Sequence, residues 1–406
     1  MDTITHGILG ALIGKAYFAE DTPAAPQASG AGREAGATTS ASAGRAGRVA
    51  IFAATLGAIF PDGDVLLEPL SHNGLGILEI HRGFTHSFVG LPLFAVALAA
   101  LTSWIARRRG WRAPSWGRLA LIYAIALGSH VLLDLITSFG TMIWSPLSHA
   151  RAAWDLAFII DFSMTAIVIV PQLIAWVFRR REASRGRALG IWLLASAATV
   201  GVRHLLRLVG FPFSARVAAG IVALLAALFF LPTWNGWGFR IRRARWCRTG
   251  VYALATYLLL LAVAHAAALR RVEQFAAARG LCVERLGALP LPPSGLQWDG
   301  LIRTADGVYE GQFDLRRSDP PAFRFVADAR ENSYIEAARQ QPDVKVYLWF
   351  ARFPVVRFAD EGDRKVVEFA DLRFSPRGRR PTPFTFRVTL DDSGRVLKQG
   401  WARARP

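Results

Sequence analysis

Hydrophobic and polar positions follow two different patterns along the chain, and the change comes near residue 270. Before it, apolar residues run almost unbroken through six segments long enough to cross a bilayer core, which takes about 20 helical residues. These predicted membrane helices are 84–106, 119–137, 154–178, 188–209, 217–231 and 251–269. Two shorter apolar segments, 4–18 and 49–60, precede them. Each would reach only about 20 Å as a helix, so neither is expected to complete a crossing.

Short runs in which apolar and polar residues alternate replace the long segments after residue 270. Such alternation, broken by turn residues, is typical of strands with one buried face. The predicted strands are 307–315, 322–327, 344–353, 365–374 and 384–390, with a helix at 332–340.

These patterns predict two domains. Residues 1–269 are expected to form an α-helical polytopic membrane domain with about six transmembrane helices and two short N-terminal helices. Residues 270–406 are expected to form a small antiparallel β-rich soluble domain. Within the first domain, residues 22–47 are rich in alanine, glycine and serine, which predicts a flexible low-complexity insertion.

Composition and charge support the membrane assignment. The chain is 52% hydrophobic and only 19% charged, whereas soluble domains carry about a quarter charged residues. Its net charge of +18 does not indicate a nucleic-acid partner, because the basic residues cluster at the ends of apolar runs. Arginine-rich loops at 107–112, 179–187 and 240–248 follow the first, third and fifth predicted helices, and the positive-inside rule places such loops in the cytoplasm. We therefore expect an inner-membrane protein whose 270–406 domain is periplasmic or otherwise external.

Histidine and aspartate, rather than the two cysteines, are the candidate metal ligands. Four short motifs place them inside or beside apolar segments, where ionisable groups are costly and mostly functional. His130 and Asp134 are four residues apart, so they share a helical face and could bind one ion. The candidate ligands are His6, Asp62, Asp64, His81, His86, His130 and Asp134. Such mixed donors suit Zn²⁺, Mn²⁺ or Fe²⁺, and they outnumber the three protein ligands of a typical catalytic zinc site, so more than one ion is expected.

Helix arithmetic brings two of these motifs to a similar depth in the bilayer. His130 lies 12 residues beyond Arg118, and Asp62 lies 14 residues beyond Arg48. At the rise of an α-helix these separations correspond to about 18 and 21 Å from the arginine-rich face. The sequence therefore predicts a metal site towards the outer half of the bilayer.

Neighbouring residues are candidates for roles around the metal. Arg82 is a candidate clamp for phosphate or carboxylate, because a guanidinium can form two parallel hydrogen bonds to such a group. A carboxylate that is not a ligand, Asp64 or Asp134, is the candidate general base. Side chains that could orient the ligands are Thr85, Ser87, Thr137 and Asp161. Helix capping and turn formation explain the three hydroxyl residues equally well.

At these motifs the chain resembles the YdjM/YbcI family of membrane-bound proteins. The resemblance rests on residues 1–6 (MDTITH), 61–64 (PDGD), 81–87 (HRGFTHS) and 130–140 (HVLLDLITSFG). It implies a metal-dependent hydrolase in the inner membrane, since the family is described in those terms, with some members labelled LexA-binding. The insertion at 22–47 departs from the compact family pattern. The order of histidines and aspartates is also similar to that of zinc-dependent phospholipase C, which is an analogy of fold alone.

Three functions fit this reading. The first is a membrane metallohydrolase in which metal-activated water attacks a phosphoester or another anionic, lipid-like substrate. The alternative is a non-catalytic membrane binding or regulatory protein, with a structural metal and a β domain that docks a partner. A metal-ion transporter is third, but it would need ligands along a path through both leaflets, and the motifs cluster on one side.

Overall fold

The computed structural model of the chain describes residues 1–19, 33–71, 74–208, 213–234, 236–292, 295–374 and 384–402, with the backbone alone for 33–44 and 70. Its helices are α1 (Thr3–Ile13), α2 (Arg33–Ile59), α3 (Gly76–Glu79), α4 (Gly90–Arg108), α5 (Trp116–Leu135), α6 (Phe162–Val177), α7 (Ser184–Leu208), α8 (Ala215–Trp234), α9 (Arg243–Ala278), α10 (Ser333–Arg339) and α11 (Pro342–Phe350). Its strands are β1 (Arg285–Pro290), β2 (Gln297–Thr304), β3 (Gly307–Asp314), β4 (Arg324–Ala327), β5 (Pro354–Asp360), β6 (Lys365–Asp371), β7 (Thr385–Leu390) and β8 (Val396–Trp401). The predicted fold class, a helical membrane region followed by an antiparallel β domain, is confirmed.

Six helices in the described part of the chain are long and apolar enough to cross a membrane. They are Arg45–Pro69, Gly90–Arg108, Trp116–Leu135, Ser184–Leu208, Ala215–Trp234 and Arg243–Ala278. The prediction that 49–60 is too short was wrong, because helical backbone extends it at both ends, upstream within α2 and downstream through the 3₁₀ helix Phe60–Leu70. Of the predicted insertion, residues 22–32 lie outside the described residues, and the backbone from Arg33 belongs to α2.

The predicted helix at 154–178 was also wrong in its length. α6 begins only at Phe162, because the Asp161 carboxylate accepts hydrogen bonds from the backbone N–H groups of Ser163 and Met164 and caps the helix there. An aspartate that satisfies these N–H groups fixes a helix start. The remaining 16 residues form a shorter apolar helix.

Close packing of α1 against α2 sets the position of the first motif. Gly10 lies against the backbone at Ala54, and Gly14 lies against Ile51. A Cβ atom at either glycine would collide with α2, so small residues are what allow the two helices to approach. The π-helical segment Gly14–Phe18 then continues α1.

Two four-stranded antiparallel sheets, in the orders β1-β2-β3-β4 and β5-β6-β7-β8, form the C-terminal domain. The predicted strand at 344–353 was wrong, because α11 occupies most of it. Val344, Tyr347 and Phe350 are its buried residues, and their spacing of three is the spacing of a helix face. Pro342 at the start of this segment suits the first turn of a helix.

The β domain packs on one end of the helical bundle. Arg352 donates two hydrogen bonds to Asp155, at 2.9 and 2.8 Å, and Arg373 donates one to the backbone oxygen of Ser138, at 2.9 Å. Phe139 is part of the same hydrophobic core as the second sheet. This end carries the histidine and aspartate motifs, whereas Arg248, in an arginine-rich segment, donates to Ala16 at the other end of α1.

Candidate metal centre

Four structural elements bring the polar motifs together at this end of the bundle. α1 carries His6, and the 3₁₀ helix that follows α2 carries Asp62 and Asp64. A second short 3₁₀ helix, Phe84–His86, ends in His86 just before α4. His130 and Asp134 lie one turn apart on the same face of α5, as their spacing predicted.

Asp62, His86, His130 and Asp134 form a group whose ligand atoms all lie within 4.8 Å of one another. The Nε2 atoms of His86 and His130 are 3.0 Å apart. Asp134 Oδ2 lies 3.2 Å from the first of these nitrogens and 3.5 Å from the second. Asp62 Oδ1 lies 3.7 and 3.4 Å from the same two atoms. Two nitrogens and two carboxylate oxygens therefore face one small volume.

The hydrogen bonds behind the two histidines determine what their Nε2 atoms can do. His130 Nδ1 lies 2.6 Å from the backbone oxygen of Ala58, which only accepts, so the proton is on Nδ1. Thr85 donates to Asp64 at 2.8 Å, so its oxygen accepts from His86 Nδ1 at 2.9 Å. When both rings are neutral, both Nε2 atoms carry lone pairs, and a shared cation would stabilise this arrangement.

Burial makes this argument stronger. The side chains of His86, His130 and Asp134 have no exposed surface, and Asp62 is 9% exposed. Asp134 Oδ2, which faces both histidines, has no hydrogen-bond partner among the residues that the structure describes. A buried carboxylate oxygen without a donor is costly, and nitrogen and oxygen donors in such a set suit a divalent transition metal or zinc. The residues present therefore fit a metal ion.

The second oxygen of Asp134 is held by cations and by His6. Arg82 Nη2 lies 2.9 Å from Asp134 Oδ1, and the Met1 amino group donates to the same oxygen. His6 Nε2 lies 3.3 Å from it, and the His6 ring stacks on His130 with centroids 3.7 Å apart. His6 therefore adjoins the group of four without belonging to it.

Arg82, the predicted anion clamp, is almost fully buried. Besides Asp134, its guanidinium contacts Thr137 Oγ1 at 2.8 Å. Its backbone has a φ of 61°, a conformation that costs a non-glycine residue roughly 1 kcal/mol or more. The Asp64 carboxylate, which accepts from the Arg82 N–H at 3.1 Å, helps hold this conformation.

Asp64 and His81 form a second layer behind His86. His81 Nδ1 lies 2.7 Å from Asp64 Oδ1, and the His81 side chain is 17% exposed. The rings of His81 and His86 are 5.7 Å apart between centroids. Neither Asp64 nor His81 belongs to the group of four in the described part of the chain, so these two predicted ligands occupy a position beside it.

The other predicted orienting residues divide into two pairs. Thr85 and Thr137 lie in the network, since Thr137 donates to the backbone oxygen of Asp134 at 2.8 Å. Ser87 accepts from the N–H of Gly90, the first residue of α4. Asp161 caps α6 and also accepts from Tyr257 at 2.8 Å. Both of these residues have structural roles here.

Two contacts of the group were not predicted from the sequence. Thr3 donates to Asp62 Oδ2 at 2.6 Å, and the Ala58 carbonyl orients His130. Thr3 lies three residues before His6 in the first motif, so the sequence alone could have suggested that it lies near the metal centre. The carbonyl belongs to a backbone position, and no residue type marks it.

Comparison with known proteins gives one match. The family model described as YdjM inner membrane protein matches residues 1–210, a stretch that contains all four motifs and helices α1–α7. No curated protein and no solved structure matches the chain. The match confirms the resemblance seen in the motifs.

Proposed function

Because the chain belongs to the YdjM inner membrane protein family, we propose that it is a membrane-bound metal-dependent hydrolase acting on a phosphoester or another anionic, lipid-like substrate. One observation carries the proposal. The Nε2 atoms of His86 and His130 face each other at 3.0 Å, with carboxylate oxygens of Asp62 and Asp134 beside them. The partly exposed His81 lies next to this group and is held by the buried carboxylate of Asp64. This cluster of donors favours a bound cation, and His81 beside it is a group that can exchange protons with water.

The protein residues have separable roles in this proposal. Asp62, His86, His130 and Asp134 would hold a divalent cation, which supplies Lewis acidity and an acidified water when bound. Arg82 and His6 would fix the orientation of Asp134. His81 is the proposed general acid–base, because its Nδ1 is engaged by Asp64 and its Nε2 remains available for a proton.

The surroundings of the site support an amphiphilic substrate. Val65, Leu66 and Leu67 follow Asp64 directly and are exposed, Leu66 by 79%. Phe84, two residues before His86, is 39% exposed. An apolar surface next to a polar site in the membrane domain suits a molecule with an anionic head and an apolar body.

The second candidate is a binding or regulatory protein with a structural metal. The observation that favours it is the number of donors, because four protein ligands complete a tetrahedral site and leave no open position. The Arg82 guanidinium is also already paired within the protein. In that case the β domain would be the surface that binds a partner.

Metal-dependent turnover separates the two candidates. We expect the detergent-purified chain to hydrolyse a chromogenic phosphodiester, to lose this activity on chelation, and to regain it with Zn²⁺ or Mn²⁺. Metal content is measured by mass spectrometry on the same samples. Stoichiometric metal with no hydrolysis of phosphomonoester, phosphodiester or phospholipid probes would reject the hydrolase and favour the structural site.

Membrane orientation gives an independent prediction. The metal centre and the β domain share one end of the bundle, and the arginine-rich loops lie at the other, so the positive-inside rule predicts that the β domain is periplasmic. An alkaline phosphatase reporter fused after Leu315 should be active, and a green fluorescent protein fused there should be dark. The reverse pattern would overturn the orientation and leave the metal assignment untouched.

A further inference from the structure

A groove of about 650 Å³ runs along one face of α1, which is within the size range of ligand pockets. Ile4, Gly7, Ile8 and Ala11 line it from α1, and Lys15 lines it from the π-helical segment that continues α1. Their spacing is that of a single helical face. Residues of α2, α6 and α7 complete its walls. His6 points away from this face, so this lateral groove is separate from the metal centre although both use α1.

The length and lining of the lateral groove match an acyl chain. From Ile4 to Lys15 the helix rises about 16 Å, which is close to half of a hydrocarbon core of about 30 Å. Between these ends the lining is mainly apolar, with Ile169 and Leu173 facing the groove from α6. Ile4 is 73% exposed, so the groove is open at that end to the surrounding bilayer.

Two cations mark the other end of the lateral groove. Lys15 Nζ donates to Gln172 Oε1 at 2.8 Å. The Arg187 guanidinium lies over the ring of Trp176, which lines the groove, at 5.4 Å. It also donates to four backbone oxygens around the end of α6, those of Trp176, Val177, Arg180 and Glu182. Among the residues that the structure describes, neither cation forms an ion pair with a carboxylate. Their hydrogen bonds go to neutral oxygens, so the positive charge at this end of the groove is not neutralised.

We propose that the lateral groove binds one acyl chain of an anionic phospholipid, whose phosphate lies between Lys15 and Arg187. Basic pockets between membrane helices recognise anionic headgroups in this way, and Trp176 is of the type found at the membrane interface. The bound chain would pack along α1 and support the helix that carries His6. This site does not depend on the proposed hydrolysis.

Photolabelling tests the site in the full-length protein. The protein is reconstituted in phosphatidylcholine nanodiscs with a trace of phosphatidylglycerol or phosphatidylcholine that carries a diazirine on one acyl chain, and labelled peptides are mapped by mass spectrometry. We expect phosphatidylglycerol to label α1 and α6 more strongly than phosphatidylcholine does. Lys15→Gln should reduce this preference about fivefold, or about 1 kcal/mol, and Lys15→Arg should keep it.

Steric block and a matched control complete the test. Ala11→Phe should fill the groove and abolish labelling of α1, whereas Leu260→Phe, at a 62% exposed position of α9, should leave labelling unchanged. Equal labelling by both probes would overturn the anionic headgroup, and wild-type labelling of Ala11→Phe would overturn the groove. Because Lys15→Gln removes a charge without adding bulk, an unchanged preference in a variant with native elution also overturns the proposal.

Discussion

His130→Ala should lose nearly all bound metal. The substitution removes one of the two Nε2 atoms that face each other at 3.0 Å, and it also removes the hydrogen bond to Ala58. Loss of an orienting partner alone costs a metal site about 10- to 100-fold in affinity, so loss of a ligand should cost more than about a hundredfold. Metal per protein chain, measured after size-exclusion chromatography with limiting Zn²⁺, reports the effect.

His204 and His265 are the matched controls for this loss. His204 is exposed on α7, and His265 on α9 lies against Trp298 with ring centroids 5.5 Å apart. Neither belongs to the group of four, so His204→Ala and His265→Ala should retain wild-type metal content. If His130→Ala also retains it while eluting as the native protein does, the proposed centre is wrong.

Asp134→Ala is a less direct probe of the same site. Its Oδ1 receives Arg82 and its Oδ2 faces the histidines, so the substitution removes a ligand and leaves a buried guanidinium without its anion. Breaking a buried ion pair from one side costs about 3–5 kcal/mol. Metal loss in Asp134→Ala can therefore result from unfolding, so its melting temperature must be measured as well. His130→Ala is the more direct test of the metal centre.

The sequence could indicate which residues form the metal centre, because several of them lie in the same short motifs. The spacing of His130 and Asp134 places both on one helix face without any tertiary information. For Asp62 and Asp64 the sequence gives no such information. In an irregular turn, a spacing of two residues does not determine the relative directions of two side chains. In the structure one carboxylate faces the histidine pair and the other binds His81, and only the packing of the Phe60–Leu70 helix decides which.

The errors in the fold have a similar origin. Hydropathy alone extended α6 back to residue 154, although Asp161 stops the helix by accepting from two backbone N–H groups. At 344–353, the alternation of apolar and polar residues suggested a strand, but the buried face of α11 follows a helical repeat. A capping hydrogen bond therefore decides where α6 begins, and burial at every third residue makes 344–350 helical.

His81→Gln should reduce hydrolysis by about 10²- to 10⁴-fold, the usual contribution of a general acid–base, and should leave metal content unchanged. The physical reason is its position outside the group of four, with Nδ1 engaged by Asp64 at 2.7 Å and a side chain that is 17% exposed. Glutamine keeps a hydrogen-bond donor to Asp64 but cannot transfer a proton. Initial rates on a phosphodiester and metal stoichiometry are measured on one preparation.

His149→Gln is the matched control, because His149 is exposed in the loop that follows α5 and should tolerate the change in both readouts. Asp64→Asn should lower the rate less than His81→Gln does, since it weakens the orientation of His81 without removing the ring. Loss of metal in His81→Gln would make His81 a ligand and revive a larger site. Unchanged hydrolysis with unchanged metal would instead exclude His81 as the proton acceptor. Asp62, the more exposed of the two carboxylates in the group, would then be the next candidate.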